Sequence, residues 1–216
     1  MVRRIVCGVD EAGRGCVVGP LVISAVAVEK QDVVRLRELG VADSKTLTAR
    51  RRRELYEAIL AEFKTKFVVI EPWDVDRSLR GLNGPGLNSL EYLNIAKLVN
   101  VLRPSEVFVD SPDRNTRRAR EMILMHLKNP VKLCCMIHAD RKKPVVAAAS
   151  IVAKVVRDMR VEELRKVYGD FGSGYPSDPK TRRWLRAKLE NRTLPPYVRR
   201  GWKTLERLVQ TRIDDF

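Results

Sequence analysis

The sequence predicts an α/β fold: a mixed five-stranded sheet flanked by helices, with a helical subdomain toward the C-terminus. Three observations carry this. Short apolar runs bounded by turn residues alternate with longer stretches of helical period. The 216 residues are 44% apolar in a varied order, which suits one medium domain plus an appendage and excludes disorder, collagen and coiled coil. After Tyr168 the composition shifts to Gly and Pro, then to two basic helical stretches.

In chain order, Arg4–Val9 reads as a short buried strand. Gly13, Gly15, Gly19 and Pro20 form a loop, and Leu21–Val28 is the second strand. Thr48–Phe63 is a helix with Thr48 as N-cap and Leu55, Ile59 and Leu60 on one face. Lys66–Ile70 is the third strand, stopped before Pro72. A helix over Asn88–Leu102 ends at Arg103-Pro104, because the residue before a proline disfavours helical backbone. Glu106–Val109 is the fourth strand, Arg114–Leu127 a helix and Val131–Ile137 the fifth strand. Pro144–Val167 is a long helix, apolar on most sides over Val145–Val156 and so buried. Basic helices follow over Asp178–Glu190 and from Tyr197 to about Leu208.

Lys and Arg number 42 against 27 Asp and Glu, a net charge of +15. A field that basic points to a polyanion, nucleic acid before anionic membrane. Membrane insertion is not expected: the longest apolar stretch, Val17–Val28, is short of the roughly 20 residues a span needs. Asp10 and Glu11 interrupt the N-terminus before any signal-peptide core develops, so a cytoplasmic protein is expected. The four cysteines form no C-x-x-C pair and read as small buried hydrophobes. Heavy Arg usage with only Gln31 and Gln210 hints at a thermophile, in which intracellular disulfides do occur.

Three acidic sites share one context. Asp10-Glu11 ends the first strand, Asp110 the fourth, and Asp140 follows the fifth. Open α/β sheets gather their sites beyond strand ends. Acids without His or Cys make a hard oxygen site suited to Mg²⁺ or Mn²⁺. Taken singly, each acid has an ordinary alternative as a turn or cap residue. Neighbours on a strand face opposite ways, so Asp10 and Glu11 share a site only if the strand ends there and Glu11 lies in the turn. A basic chain with an acidic pocket points to metal-dependent phosphoryl transfer on nucleic acid.

At Asp10-Glu11-Ala12-Gly13-Arg14-Gly15 and Gly19-Pro20 the chain resembles the ribonuclease HII family. The likeness continues through Asp43-Ser44-Lys45, Val109-Asp110-Ser111, His138-Ala139-Asp140 and Ala147 to Lys154. Gly172-Ser173-Gly174-Tyr175-Pro176-Ser177-Asp178 resembles the archaeal branch. The related type 3 enzymes carry an extra N-terminal domain for which a first motif at residue 10 leaves no room.

The resemblance implies a ribonuclease H-like fold and a metal-binding, catalytic tetrad of Asp10, Glu11, Asp110 and Asp140. It also implies hydrolysis of RNA in RNA–DNA hybrids and cutting 5′ of single ribonucleotides in duplex DNA, leaving a 5′-phosphate and a 3′-hydroxyl. Two Mg²⁺ or Mn²⁺ ions roughly 4 Å apart would serve. Gly13, Arg14 and Gly15 would read the 2′-hydroxyl, since a glycine loop lets backbone approach a sugar. Tyr175 would stack on the following deoxyribose, and Arg14 would hold phosphate or brace the loop. Lys45, Lys143 and Lys154 are candidate phosphate contacts, Lys143 only through its closeness to Asp140 in the chain. Asp158, beside Arg157, reads as a structural ion-pair acid, and Arg50–Arg53 as a solvated helix face. Lys180, Arg182, Arg183, Arg186 and Lys188 would grip the duplex or merely solubilise the surface.

The expected organisation is a catalytic core over 1–170, a helical substrate-groove subdomain over 171–209 and a clamp-binding-like tail over 210–216, acting as a monomer. In the tail, Gln210, Ile213 and Phe216 have the spacing by which replication proteins dock on a sliding clamp; the usual second aromatic is missing. A non-catalytic nucleic-acid binder would explain the charge but not the acids. A resolvase-like transferase would explain the acids but not the Gly-Arg-Gly loop with Tyr175.

Overall fold

A computed structural model describes residues 4–41, 47–79 and 85–214, with side chains through Leu208. Among the described residues there are five strands: β1 (Ile5–Ala12), β2 (Leu21–Glu29), β3 (Lys64–Ile70), β4 (Glu106–Asp110) and β5 (Lys132–Met136). They lie in the order β3-β2-β1-β4-β5. β1 runs antiparallel to β2 and parallel to β4, and β4 runs parallel to β5, so the sheet is mixed as expected. The helices are α1 (Val33–Leu39), α2 (Ala49–Glu62), α3 (Pro72–Leu79), α4 (Gly86–Leu102), α5 (Thr116–Leu124), α6 (Pro144–Tyr168), α7 (Pro179–Glu190) and α8 (Lys203–Asp214).

Local signals account for most boundaries. The Thr48 hydroxyl accepts from the Arg51 N–H at 3.2 Å and opens α2, while the Asn115 side chain opens α5. The first half of α6 is buried from Val145 to Val156 except for Lys154, which explains its all-round apolar sequence. Arg50 and Arg51 pair with Glu54 at 3.1 Å on the exposed face of α2, the solvated role expected of that run.

Four expectations are corrected. Leu60 is 40% exposed, so the buried face of α2 is carried by Leu55 and Ile59. The short helices α1 and α3 were not anticipated; seven or eight residues hold barely two turns, too few to establish a period. The last helix begins at Lys203 rather than Tyr197, because Val198 bridges to Val18 as extended backbone. β1 does not stop at Asp10; it continues through Glu11 to Ala12, paired with Val22 of β2.

The chain divides into two compact units. The first comprises Met1–Ala12, Val22–Val68 and Asn88–Val156 and contains nearly all of the sheet. The second comprises Gly13–Leu21, Val69–Leu87 and Arg157–Phe216. Its core packs Val17, Val18, Val161, Leu164, Phe171, Leu185, Val198 and Leu205. The four cysteines are free thiols, with Cys7 and Cys16 buried. Among the described residues no helix is long and apolar enough to cross a membrane.

Candidate active site

Strand register levels two of the acids. Val9 on β1 pairs with Val109 on β4 in parallel, so Asp10 and Asp110 come next in the same rank, Asp110 as the last residue of β4 and Asp10 two residues before the end of β1. Both valines are fully buried on one face, and the aspartates belong to the other.

The element covering that second face is α6. Gly8, two residues before Asp10, meets the helix so closely that a Cβ there would stand 2.1 Å from the Val145 carbonyl carbon. Ser24, paired with Asp10 across β2, donates its hydroxyl to the Ala149 carbonyl at 2.6 Å. Ala147, Ala148 and Ala149 are fully buried, and their small size permits the approach. The result sets the Ser150 hydroxyl on the Asp10 carboxylate, with the Lys154 charge near enough to act on it.

Asp140 arrives by a sharp exit from β5. His138 takes a left-handed conformation, φ 56°, and starts a short 3-10 turn over Ala139–Arg141. The turn aims the Ala139 N–H at Asp110 Oδ1, 3.3 Å away, and leaves Asp140 7% exposed.

The electrostatics follow from this crowding. Burial, then the Asp110 charge, push Asp10 up to about 7, against the Ser150 hydrogen bond, the Glu11 N–H and Lys154. Asp110 is raised by burial and by Asp140, against the Ala139 N–H. The Asp140 charge thus bears on Asp110, and the Asp110 charge on Asp10. A divalent cation fits this donor set: the ligands are hard oxygens, and positive charge would relieve the burden that lifts Asp10. Among the described residues, no three His, Cys, Asp or Glu side chains stand gathered as a finished metal cage.

Glu11 differs from the reading that put it in a turn. It stays in β1, paired with Ile23 of β2. Its backbone N–H does reach Asp10 Oδ1, at 2.8 Å.

Of the candidate phosphate lysines, Lys154 lies by Asp10. The Lys143 ammonium instead sits 4.3 Å from the centre of the Phe108 ring. Lys45 falls outside the described residues, as does Phe216, and the side chains of Gln210 and Ile213 are likewise not described.

The second unit brings the glycine loop and Tyr175 together. Val17 and Val18 both donate to the Gly174 carbonyl, at 2.8 and 3.1 Å, which holds the segment 172–175 along the loop. Gly174 has φ 79°, and a Cβ there would lie 2.5 Å from the Val18 carbonyl oxygen. A Cβ on the exposed Gly15 would meet the Tyr175 ring at 4.0 Å. Burial raises the Tyr175 phenol, against the Arg157 charge and a hydrogen bond with the Gly13 backbone. Arg157 lies 4.8 Å from the Tyr175 ring centre, donates to the Ser173 carbonyl and pairs with Asp158 at 3.2 Å. Asp158 therefore has the ion-pair role expected of it.

Asp178 tethers the same segment. It accepts from the Ser173 N–H at 2.6 Å and caps α7 through the Lys180 N–H at 2.8 Å. These bonds hold its carboxyl well below the usual range. A depressed acid stabilises the fold above its unfolded pKa and loses that contribution as pH falls through the folded one. Asp178→Ala should melt a few degrees lower than the parent at neutral pH. In melts repeated at successively lower pH, the gap should narrow as the parent carboxyl protonates; a gap independent of pH would remove the ionic role.

A model of the family described as Ribonuclease HII matches residues 7–205. The chain belongs to the ribonuclease HII family. It is 43% identical over 215 residues to the ribonuclease HII of Caldivirga maquilingensis, covering 98% of both. The crystal structure of ribonuclease H2 from Pyrococcus horikoshii superposes with a TM-score of 0.87 at 37% identity, covering 96% of this chain and 98% of that one. The ribonuclease HII of Archaeoglobus fulgidus, solved in complex with PCNA, also gives 0.87, at 40% identity and 98% and 100% coverage. Ribonuclease HII membership makes the chain a ribonuclease H hydrolase, an endonuclease of the RNA in RNA–DNA hybrids. The archaeal likeness of its Gly-Tyr-Pro segment agrees with these relatives.

Sequence reasoning missed Ser150, Ser24 and Arg199. Ser150 lies in the alanine-rich motif, but only the helix–sheet contact reveals what it touches.

Proposed function

We propose that this enzyme cuts the RNA strand of hybrids and also cuts 5′ of single ribonucleotides in duplex DNA, leaving a 5′-phosphate and a 3′-hydroxyl. The observation that carries this is the levelling of Asp10 and Asp110 on two parallel neighbouring strands, with Asp140 acting on Asp110 and Asp10 raised to about 7. Asp10, Asp110 and Asp140 would hold two Mg²⁺ or Mn²⁺ ions, and Glu11 joins them on the family resemblance. When bound, such ions supply an activated water and stabilise the leaving 3′ oxygen. Ser150 orients the Asp10 carboxylate, and Lys154 tempers the negative charge around it.

Gly13, Arg14 and Gly15 follow Glu11 in the chain and read the ribose, with Tyr175 as the platform for the next sugar. Lys45, Lys143 and Lys154 contact phosphates. On α7, Arg182, Arg183 and Arg186 are exposed and suit the duplex backbone. In this reading residues 1–170 carry the chemistry, 171–209 the duplex contacts and 210–216 the clamp tail, in a cytoplasmic monomer.

The test is a DNA duplex with one ribonucleotide, incubated with Mg²⁺ or Mn²⁺ and with EDTA. A metal-dependent cut 5′ of the ribonucleotide is expected; intact duplex in every lane would reject the reading. Tyr175→Ala should cost about 1–3 kcal/mol in transition-state stabilisation at a single ribonucleotide and less on a long hybrid. Equal losses in kcat/KM on the two substrates would reduce Tyr175 to a packing residue.

The tail reading draws support from the Archaeoglobus relative solved with PCNA. Deleting residues 210–216 should abolish binding to the cognate clamp in calorimetry and leave cleavage of free oligonucleotides unchanged. Undiminished clamp affinity would count against Gln210, Ile213 and Phe216.

A further inference from the structure

Arg199 is fully buried in the second unit, an unusual place for a guanidinium. Its three nitrogens are all committed to the glycine loop. Nη2 donates to the Gly13 carbonyl at 2.8 Å, Nη1 to the Arg14 carbonyl at 2.9 Å and Nε to the Gly19 carbonyl at 3.1 Å. These three acceptors are neutral, so the cation is not buried for the sake of a tight ion pair with them. If filling space were the only requirement, an apolar side chain of similar volume would do so without desolvating a charge. What the guanidinium supplies is a rigid fork that fixes three carbonyls at once. Cys16 adds to this by donating its thiol to the Gly13 carbonyl at 3.0 Å.

The consequence lies on the other side of the loop. In a trans peptide the C=O and the following N–H point in opposite directions. With the Gly13 and Arg14 carbonyls drawn onto Arg199, the N–H groups of Arg14 and Gly15 are turned away from it. Two successive N–H groups so aligned suit an oxygen-rich ligand such as a sugar hydroxyl or a phosphate.

Arg199 is itself anchored. Asp76 is 5% exposed and accepts from the next two backbone N–H groups, Arg200 at 2.8 Å and Gly201 at 3.0 Å. The Arg199 N–H donates to the Val17 carbonyl at 2.8 Å. A continuous set of hydrogen bonds therefore runs from α3 through residues 199–201 to the loop.

We propose that Arg199 is a positioning residue for ribose recognition: it orients the Arg14 and Gly15 N–H groups toward the sugar-phosphate of the ribonucleotide, and Asp76 holds it in place. This rests on the reading that residues 13–15 recognise the ribose.

The experiment compares single-turnover cleavage of a DNA duplex containing one ribonucleotide with that of the same duplex containing one 2′-fluoro nucleotide, which lacks the hydroxyl donor. The intact enzyme, Arg199→Lys and Asp76→Asn are assayed below their melting temperatures, with folding followed by circular dichroism. The intact enzyme should prefer the ribonucleotide. Arg199→Lys, which has no fork, should lose about tenfold or more of that preference, and Asp76→Asn should lose part of it. A purely structural role would slow both substrates alike and leave their ratio intact, which would overturn the proposal. Failure of both variants to fold would overturn it as well, making Arg199 a stability residue. An intact enzyme that cuts but shows no preference would instead remove the ribose-reading role of residues 13–15.

Discussion

Asp10→Asn and Asp110→Asn are each expected to lower the single-turnover cleavage rate by roughly a thousandfold, a loss of about 4 kcal/mol of transition-state stabilisation. The two carboxylates stand level on β1 and β4, and the charge of one raises the other. Either amide removes a hard anionic ligand from the set that includes Asp140. Glu11→Gln and Asp140→Asn should also remove most activity. Hybrid affinity should persist, because taking negative charge from a protein of net charge +15 does not weaken its hold on a polyanion. Stability should persist too. Burial makes ionised Asp10 unfavourable, so without divalent cations Asp10→Asn should melt no lower than the parent at neutral pH. Near-parental rates in both variants, with normal metal dependence, would sink the assignment.

Gly8→Ala should destabilise the first unit by about 3 kcal/mol or more. The added Cβ would stand 2.1 Å from the Val145 carbonyl carbon, 2.2 Å from its oxygen and 2.4 Å from the Val146 nitrogen. All three are backbone atoms, so no side-chain rotation relieves the clash and α6 must lift from the sheet. Lifting α6 carries Ser150 and Lys154 away from Asp10, so activity should fall together with stability. Gly15→Ala is the contrasting substitution: its Cβ meets nothing nearer than the Tyr175 ring at 4.0 Å, and its melting point should stay close to that of the parent. Denaturant titration of both variants reads the difference. A Gly8→Ala protein as stable as the parent would mean that α6 sits less tightly on β1 than the described contacts require.

The sequence by itself determined which segments become strands and long helices, and that Asp10, Asp110 and Asp140 lie near the C-terminal ends of β1, β4 and β5. Those features are local: an apolar run, a helical period and a proline are each read within a few residues. The family resemblance was legible for a related reason, since its motifs are short contiguous blocks. Tertiary structure alone decided the rest. That β1 extends past Asp10 and keeps Glu11 within the strand depends on pairing with β2, which no residue near position 11 encodes. The exposure of Leu60 and the extended backbone at Val198 likewise depend on distant partners, among them Val18. Arg199 is the clearest instance. In the sequence it is one arginine among many in a basic tail. Its three acceptors lie 180 or more residues earlier in the chain, and only the fold converts a charge that should face water into a buried clamp on the loop.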